Sequence, residues 1–452
     1  MPGPAPLTRL FRFTSVFAAL ALPVPATSQD LLQIWREAQG YDAVYAAARH
    51  AAEAGREKGP QGLALLLPTL GLSANAQRSR IETEFRADPA VFPSTTRYPD
   101  SASYQLTFTQ PLFRYQNWMQ YEQGGLQVKQ AEATFGQAYQ DLVIRVAQAY
   151  FDVLAAQDTL ALVRAQKEAI GEQLAQAKRN FEVGTATITD THEAQARFDL
   201  SGAQEILAQN DLEAKRRVLQ FLTGKEHGAD LKPLRPDIKL PPPNPNNMES
   251  WADLAGKQGY TVLIQEAAAE IAALEVKRNR GAHLPTLDAF ATHGQTGASA
   301  TSESSIGRDT TQTVIGLQLA LPIFQGFGLL SRDREAAALS LKAREDVENA
   351  RRTAILTARQ VFLSVINGIA QVAALEQALI SSQSALDSNK LGYEVGVRIN
   401  IDVLNAQQQL FSTRRDLALA RYNTINNHLR LKAAAGSLRE EDLAEVNRAL
   451  VQ

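Results

Sequence analysis

Asn180-Phe181-Glu182-Val183-Gly184-Thr185-Ala186-Thr187-Ile188-Thr189-Asp190 is answered further along the chain by Gly392-Tyr393-Glu394-Val395-Gly396-Val397-Arg398-Ile399-Asn400-Ile401-Asp402. The aromatic-Glu-Val-Gly opening and the closing Asp recur at a displacement of 212 positions. Each turn interrupts a proline-free run, the first between Pro111 and Pro233 and the second from Pro322 to the end of the chain. Both runs are rich in Ala, Gln, Leu, Glu, Lys and Arg, the strong helix formers. Two long helical hairpins with matching tips are therefore the frame into which the rest of the sequence must fit.

Before the first tip, Val143, Val146, Tyr150 and Val153 fall at spacings of 3, 4 and 3, and Ile170, Leu174, Ala177 and Phe181 at 4, 3 and 4. This is the seam of a coiled coil. A helix from about residue 115 to 182 would be roughly 100 Å long, and the helix returning from about 190 to 223 covers only half of it. Another helix must lie beside the upper half of the long one. Residues 30–58 have the right length, with Leu31, Ile34, Trp35, Ala38 and Tyr41 at helical spacing and an expected end before Gly59-Pro60.

Strands are predicted between that segment and the long helix. In Leu70-Gly71-Leu72-Ser73-Ala74-Asn75-Ala76-Gln77 every second residue is apolar, and Tyr104, Leu106 and Phe108 alternate with polar residues over 103–109. The proline-containing stretch between them reads as an exposed loop, and Pro111-Leu112-Phe113 closes the second strand. The pair matches one hairpin of an outer-membrane barrel, with a soluble sandwich as the alternative.

After a proline-rich connector at 225–250 the order repeats. Trp251 to Arg280 reads as a helix whose Gln258-Gly259-Tyr260 parallels Gln39-Gly40-Tyr41. Leu284-Pro285-Thr286-Leu287 parallels Leu67-Pro68-Thr69-Leu70, and a fourth strand carries Ile315, Leu317, Leu319 and Leu321 on one face. Gly436 stands 212 positions after Gly224, each just past a returning helix. The chain thus divides into 1–28, a first repeat at 29–224, the connector at 225–250 and a second repeat at 251–452. It is an internal duplication of helix, two strands, long helix, turn and half-length helix.

Composition narrows the classes. Cysteine is absent, which excludes disulfides, thiolate metal sites and a lipidated amino-terminal Cys. The net charge of −2 gives no footprint for nucleic acid. Arg9 and Arg12, the apolar run from Phe13 to Leu22 and the small residues Ala26-Thr27-Ser28 read as a secretory signal peptide over 1–28. No later stretch of about 18 apolar residues is expected to form a transmembrane helix. Four strands cannot close a barrel, because closure takes about eight or more and an open edge is not tolerated in lipid. Two copies would supply eight strands with a filled interior; three would supply twelve with a lumen, which transport favours.

Signal peptide, duplicated halves, Leu-Pro-Thr-Leu before each hairpin, and the Tyr393-Glu394-Val395-Gly396 to Ile401-Asp402-Val403-Leu404 turn together resemble the TolC family of outer-membrane efflux and type I secretion channels. The resemblance covers essentially the whole chain after residue 28. It implies a mostly α protein with membrane β: a homotrimer whose four strands per chain build a 12-stranded barrel in outer-membrane lipid, continued by a periplasmic α-helical barrel. It also implies partners, namely a periplasmic adaptor and an inner-membrane ABC or proton-driven transporter, and no catalysis or cofactor. At the periplasmic gate, Arg398 matches the basic residue that reaches Thr189 and Asp190, and Tyr393 matches the aromatic residue that bonds the Gln173 position. Asp402 matches the first of two acidic rings at the entrance, whereas Asn405 leaves the second neutral. The tips Val183-Gly184-Thr185 and Val395-Gly396-Val397 match the adaptor-binding turns.

Simpler readings stand beside these. Gly184 and Gly396 suit the left-handed position after a helix, and Asp190 with Glu193 suits a capping box. Six scattered histidines make no metal motif, and His192-Glu193 lacks a second histidine one turn on. A periplasmic coiled-coil adaptor or spacer would also explain long helices and a signal peptide, but it would have one hairpin and no set of four amphipathic strands. A secreted enzyme would need a convergent group of titratable residues, and none is evident.

Overall fold

A computed structural model describes residues 29–451 except 87, 89, 92, 228–230 and 300–305; the expected signal peptide lies outside the described residues. The first repeat opens with α1 (Leu31–Tyr41), α2 (Ala43–Arg56) and α3 (Lys58–Ala64), followed by β1 (Thr69–Arg78), the short β2 (Ile81–Thr83) and β3 (Thr95–Arg97), and β4 (Asp100–Phe113). Then come α4 (Tyr115–Glu182) and α5 (Ile188–Thr223). The second repeat has α6 (Met248–Gln258), α7 (Tyr260–Gly281), β5 (Thr286–Ala298), β6 (Arg308–Ala320), α8 (Gly328–Glu394), α9 (Asn400–Ala434) and a final α10 (Glu440–Arg448).

The single helix expected over 30–58 is three helices. Asp42 leaves the helical conformation and its carboxylate caps α2 by accepting from the Tyr45 amide at 2.7 Å. The same carboxylate accepts two hydrogen bonds from Arg145 of α4, at 2.8 and 3.0 Å. The expected stop at Gly59-Pro60 is also overturned, because both residues lie inside α3. Pro60 occupies its first turn, where an amide N–H has no intrahelical partner to lose. In the second repeat the expected helix from Trp251 to Arg280 is likewise broken, at Gly259. Each break is met by the end of a returning helix. Gly224, in the left-handed conformation, abuts the Tyr41 ring, and Gly436 abuts the backbone of Gln258.

These contacts explain how a half-length helix pairs with a long one. Along α4, which has 68 residues, α5 covers the half near the tip, while α1, α2 and α3 continue the same line toward the strands. Close approaches without side chains mark that path: Gly55 against Ala131, Gly124 against Lys58, and Gly62 against Tyr121. The main core lies where the series meet. Val143, Val146, Tyr150 and Val153 are all fully buried there with α1, the end of α5, Tyr422 and Leu429 of α9, and Leu443 of α10. The connector is stitched into this waist: Tyr150 donates to the Lys232 carbonyl at 2.8 Å, and Leu234 bridges to Leu450.

The four long strands form one antiparallel sheet in the order β1-β4-β5-β6. Both outer strands, β1 and β6, have a free edge within the chain. The loop between β1 and β4 is not wholly irregular as expected, since β2 and β3 pair within it. Within α8 lies an 18-residue stretch long and apolar enough to cross a membrane by length and composition alone, and little of it is buried within the chain. Leu356, Leu363 and Ile380 of α8 are exposed to solvent here. On a 67-residue helix that also packs on α6, α7 and α9, this stretch is apolar surface that the rest of the chain does not cover.

Candidate functional site

Two regions carry the functional geometry, the sheet at one end and the hairpin tips at the other. Directly paired residues share a face of a sheet, so the register sorts every side chain. Leu70, Phe108, Ala291 and Ile315 form one row. On that face β1 and β4 stay apolar toward the loops, through Leu72, Ala74 and Ala76 and through Leu106, Tyr104 and Ala102. In contrast β5 and β6 stay apolar toward the helices, through Ala289 and Leu287 and through Leu317, Leu319 and Leu321. The opposite face is polar and concave, with Ser73, Asn75, Ser103, Gln105, Thr292, Thr296, Thr310 and Gln312 lining a hollow of about 400 Å³. One face is built for lipid and the other for water.

The apolar band crosses the sheet obliquely: β1 and β4 keep it in step and the shift toward the helices falls mainly between β4 and β5, averaging about two residues per strand over the sheet. At about 3.4 Å per residue and about 4.8 Å between strands this is a strand tilt on the order of 50°, close to the ~45° of membrane-spanning strands. At the helical side of the sheet, Arg114, the residue between β4 and α4, clamps Asp288 of β5 with two hydrogen bonds, one of 2.7 Å. Strand and helix are thereby joined rigidly.

At the far end the two tips have the same backbone. Gly184 and Gly396 have φ of 78° and 77°, the left-handed region that L side chains enter at a cost. Thr185 and Ala186 amides both return to the Asn180 carbonyl, and Val397 and Arg398 amides both return to the Gly392 carbonyl. Val183, Val395 and Val397 are among the most exposed apolar side chains of the helical part. The turns diverge at their exits. Thr187 caps α5 and exchanges hydrogen bonds with Asp190, whereas Ile399 precedes α9 with no side-chain cap. Asp190, the third residue of α5, thus closes a box begun by Thr187, which corrects its expected role as the cap paired with Glu193.

Within one chain the gate residues pair differently from the expectation. Arg398 lays its stem over Gly392, which has no side chain to obstruct it, and its guanidinium meets Asp402 at 3.6 Å. It does not pair with Thr189 or Asp190 of its own chain among the described contacts: Asp190 is committed to Thr187, and Thr189 is exposed in the first turn of α5. Tyr393 accepts from Asn180 at 3.1 Å, because Asn180 lies opposite it in the last turn of α4. Gln173, two turns further from the tip, instead donates to Asn400, and both are buried. Asn405, expected at a neutral ring, accepts from Arg197 of α5 at 3.2 Å while Arg197 also donates to Gln408 at 2.7 Å. Three bridges therefore tie the hairpins together, above an apolar seam of Ile170, Leu174, Ala177, Ala194 and Leu404. Asn180, Arg197 and Asn400 were missed from sequence because their partners lie more than 200 residues away. Among the described residues no cluster of His, Cys, Asp and Glu is placed to hold a metal.

Comparison with known proteins agrees with this geometry. The family model described as outer membrane efflux protein matches residues 38–225 and 262–437. The chain belongs to the outer membrane efflux protein family. The two matched segments fall one in each repeat, on either side of the connector. Among similar relatives, the outer membrane protein TolC of Vibrio cholerae is 31% identical over 425 residues, covering 94% of both chains. The alkaline protease secretion protein AprF of Pseudomonas aeruginosa is 33% identical over 425 residues, covering 94% of this chain and 88% of its own. The crystal structure of the outer membrane protein VceC from Vibrio cholerae shares the fold with a TM-score of 0.75 at 20% identity, over 90% of this chain and 97% of that one. As an efflux-family member the chain is an outer-membrane channel protein with a long periplasmic helical extension, and the adaptor or spacer alternative falls away.

Proposed function

We propose that three copies of this chain form the exit duct of a tripartite efflux pump or type I secretion system, exporting drugs, toxins or proteins. One observation carries this reading: an open four-stranded sheet, lipid-like on one face and watery on the other, runs directly into helices roughly 100 Å long. The sheet needs further strands to span a membrane, and twelve give a lumen where eight would be filled. The exposed apolar surface of α8 needs covering by neighbours over the same length. Relatives named for protease secretion and for TolC support export as the class of task.

In this reading the tips Val183-Gly184-Thr185 and Val395-Gly396-Val397 receive a periplasmic adaptor, and an inner-membrane ABC or proton-driven transporter supplies the energy. The gate consists of Gln173, Thr189, Asp190, Tyr393, Arg398, Asp402 and Asn405. Arg398 has an exposed, long pairing inside its own chain, so its remaining donors are free to hold Thr189 or Asp190 of a neighbour by charge-assisted bonds. The test is purification in detergent and reconstitution in a planar bilayer. The unmodified protein is expected to give low-conductance channels, and Arg398→Ser combined with Tyr393→Phe severalfold higher conductance. Block by multivalent cations should be weak and should disappear in Asp402→Ala. A doubly substituted channel conducting no better than the original would remove the gate; a freely soluble monomer would remove the duct.

A further inference from the structure

Away from the sheet and the tips, the waist holds a hollow of about 950 Å³ between the connector, the last turns of α9 and α10. Its size falls within the range of small-molecule sites. The connector sequence explains why the space is there. Pro241, Pro242 and Pro243 have no amide N–H and a fixed φ, so this run joins neither helix nor sheet and crosses toward α6 as a strap that does not fill the space beneath it. The strap is anchored: Pro243 is buried, and the Trp251 indole N–H donates to the Pro245 carbonyl at 2.8 Å. Its lining has two chemical halves. Trp251, Ile425, Leu429 and Leu431 are buried and form an apolar wall. Among the charged groups, Lys432 is held by Asp442 at 2.6 Å and by Glu445 at 3.4 Å. Arg235, Lys239 and Arg448 also line the hollow, are exposed, and have no ion-pair partner among the described residues. Asp237 is the one lining anion in the same condition. His428 lines the hollow too, and its Nε2 is buried without a hydrogen-bond partner, a rare state that a ligand would explain.

We propose that this hollow binds a small amphipathic carboxylate, its apolar body against Trp251 and Leu429 and its carboxylate held at the rim by the unpaired cations Arg235, Lys239 and Arg448. The lining selects that class. An organic cation would find one unpaired anion against three unpaired cations. A wholly apolar molecule would leave those cations unused, and a bare inorganic anion would leave the apolar wall in water. A guanidinium offers a carboxylate two parallel hydrogen bonds, and removal of the apolar body from water supplies the rest of the affinity. The site is separate from the sheet and from the tips, and it does not depend on the proposed duct.

The test uses isolated outer membranes carrying the full-length protein and a naphthalene carboxylate bearing a photoreactive diazirine. After photolysis, mass spectrometry of the peptides should find the label concentrated within 235–251 and 425–449. Unlabelled naphthoate should compete for this labelling at least tenfold better than naphthylmethylamine, its cationic counterpart. Lys239→Glu combined with Arg448→Glu should weaken that competition at least tenfold; both side chains are exposed, and the amount of protein in the membrane reports that folding is intact. Val446→Trp fills the hollow from α10 without a change of charge and should abolish labelling there. Equal competition by acid and amine, label spread evenly along the chain, or undiminished competition in the charge-reversed variant would overturn the site. Labelling of the detergent-dispersed monomer but not of the protein in its membrane would overturn it as well, because a further copy of the chain would then cover the hollow.

Discussion

Asp42 concentrates more of the fold's logic than any other residue described. Its carboxylate is buried, caps α2, and takes both arms of Arg145, and those hydrogen bonds hold its pKa below the ordinary carboxylate value in spite of the burial. A depressed folded pKa means that the stabilisation is fully present above about pH 4 and is lost as pH falls through the folded value. Asp42→Ala removes the cap and strands a half-buried guanidinium, with an expected loss of about 2–4 kcal/mol. Asp42→Asn retains an acceptor for the cap and should lose less, with a flatter acid limb. Thermal unfolding of the helical part followed by circular dichroism between pH 7 and pH 3 reads both. An Ala variant as stable as the parent at neutral pH would show that the break between α1 and α2 is held by packing alone. Sequence reading saw Asp42 only as part of a continuous helix, because the apolar spacing of Leu31 to Ala38 runs up to it without a visible stop.

Among the elements, the long helices and their turns were legible because proline-free runs and repeated glycine motifs are strong local signals. The breaks at Asp42 and Gly259 were not, since their cause is tertiary: each is where the end of a returning helix arrives. The final α10 was missed for a related reason, its short amphipathic stretch having meaning only against Lys432, which donates to Asp442 at 2.6 Å. At the tips, Gly184 and Gly396 face open space, so a side chain added there meets backbone strain of roughly 1–2 kcal/mol but no clash. If the tips are docking surfaces, Gly184→Leu and Gly396→Leu should each cut export at least tenfold while leaving the amount of channel in the outer membrane unchanged. Export at parental levels by both variants would count against adaptor contact at these turns.

At the scale of the molecule, the duplication, the amphipathic strands and the family resemblance were all readable from residue order. The direction in which the apolar band drifts was not, because it appears only once strands are set in register: Leu70 and Ile315 share a row, yet the apolar stretch extends from that row in opposite directions on the two strands. The bridges between hairpins were hidden likewise, Gln173–Asn400 and Asn180–Tyr393 being neighbours only in space.

The two repeats differ in how firmly the helix after each tip is held at its start. In the first repeat Thr187 and Asp190 are locked together at the start of α5, while in the second Ile399 offers α9 no such lock. A missing cap costs a helix end about 1 kcal/mol, so the first turn of α9 should open more often than that of α5. Deuterium uptake followed by mass spectrometry should therefore label the 400–403 amides severalfold faster than those at 188–191, and equal protection would contradict this. The repeat without this lock is the one that carries Tyr393, Arg398 and Asp402, which under the proposed gate makes its tip the moving leaf and the other the fixed post.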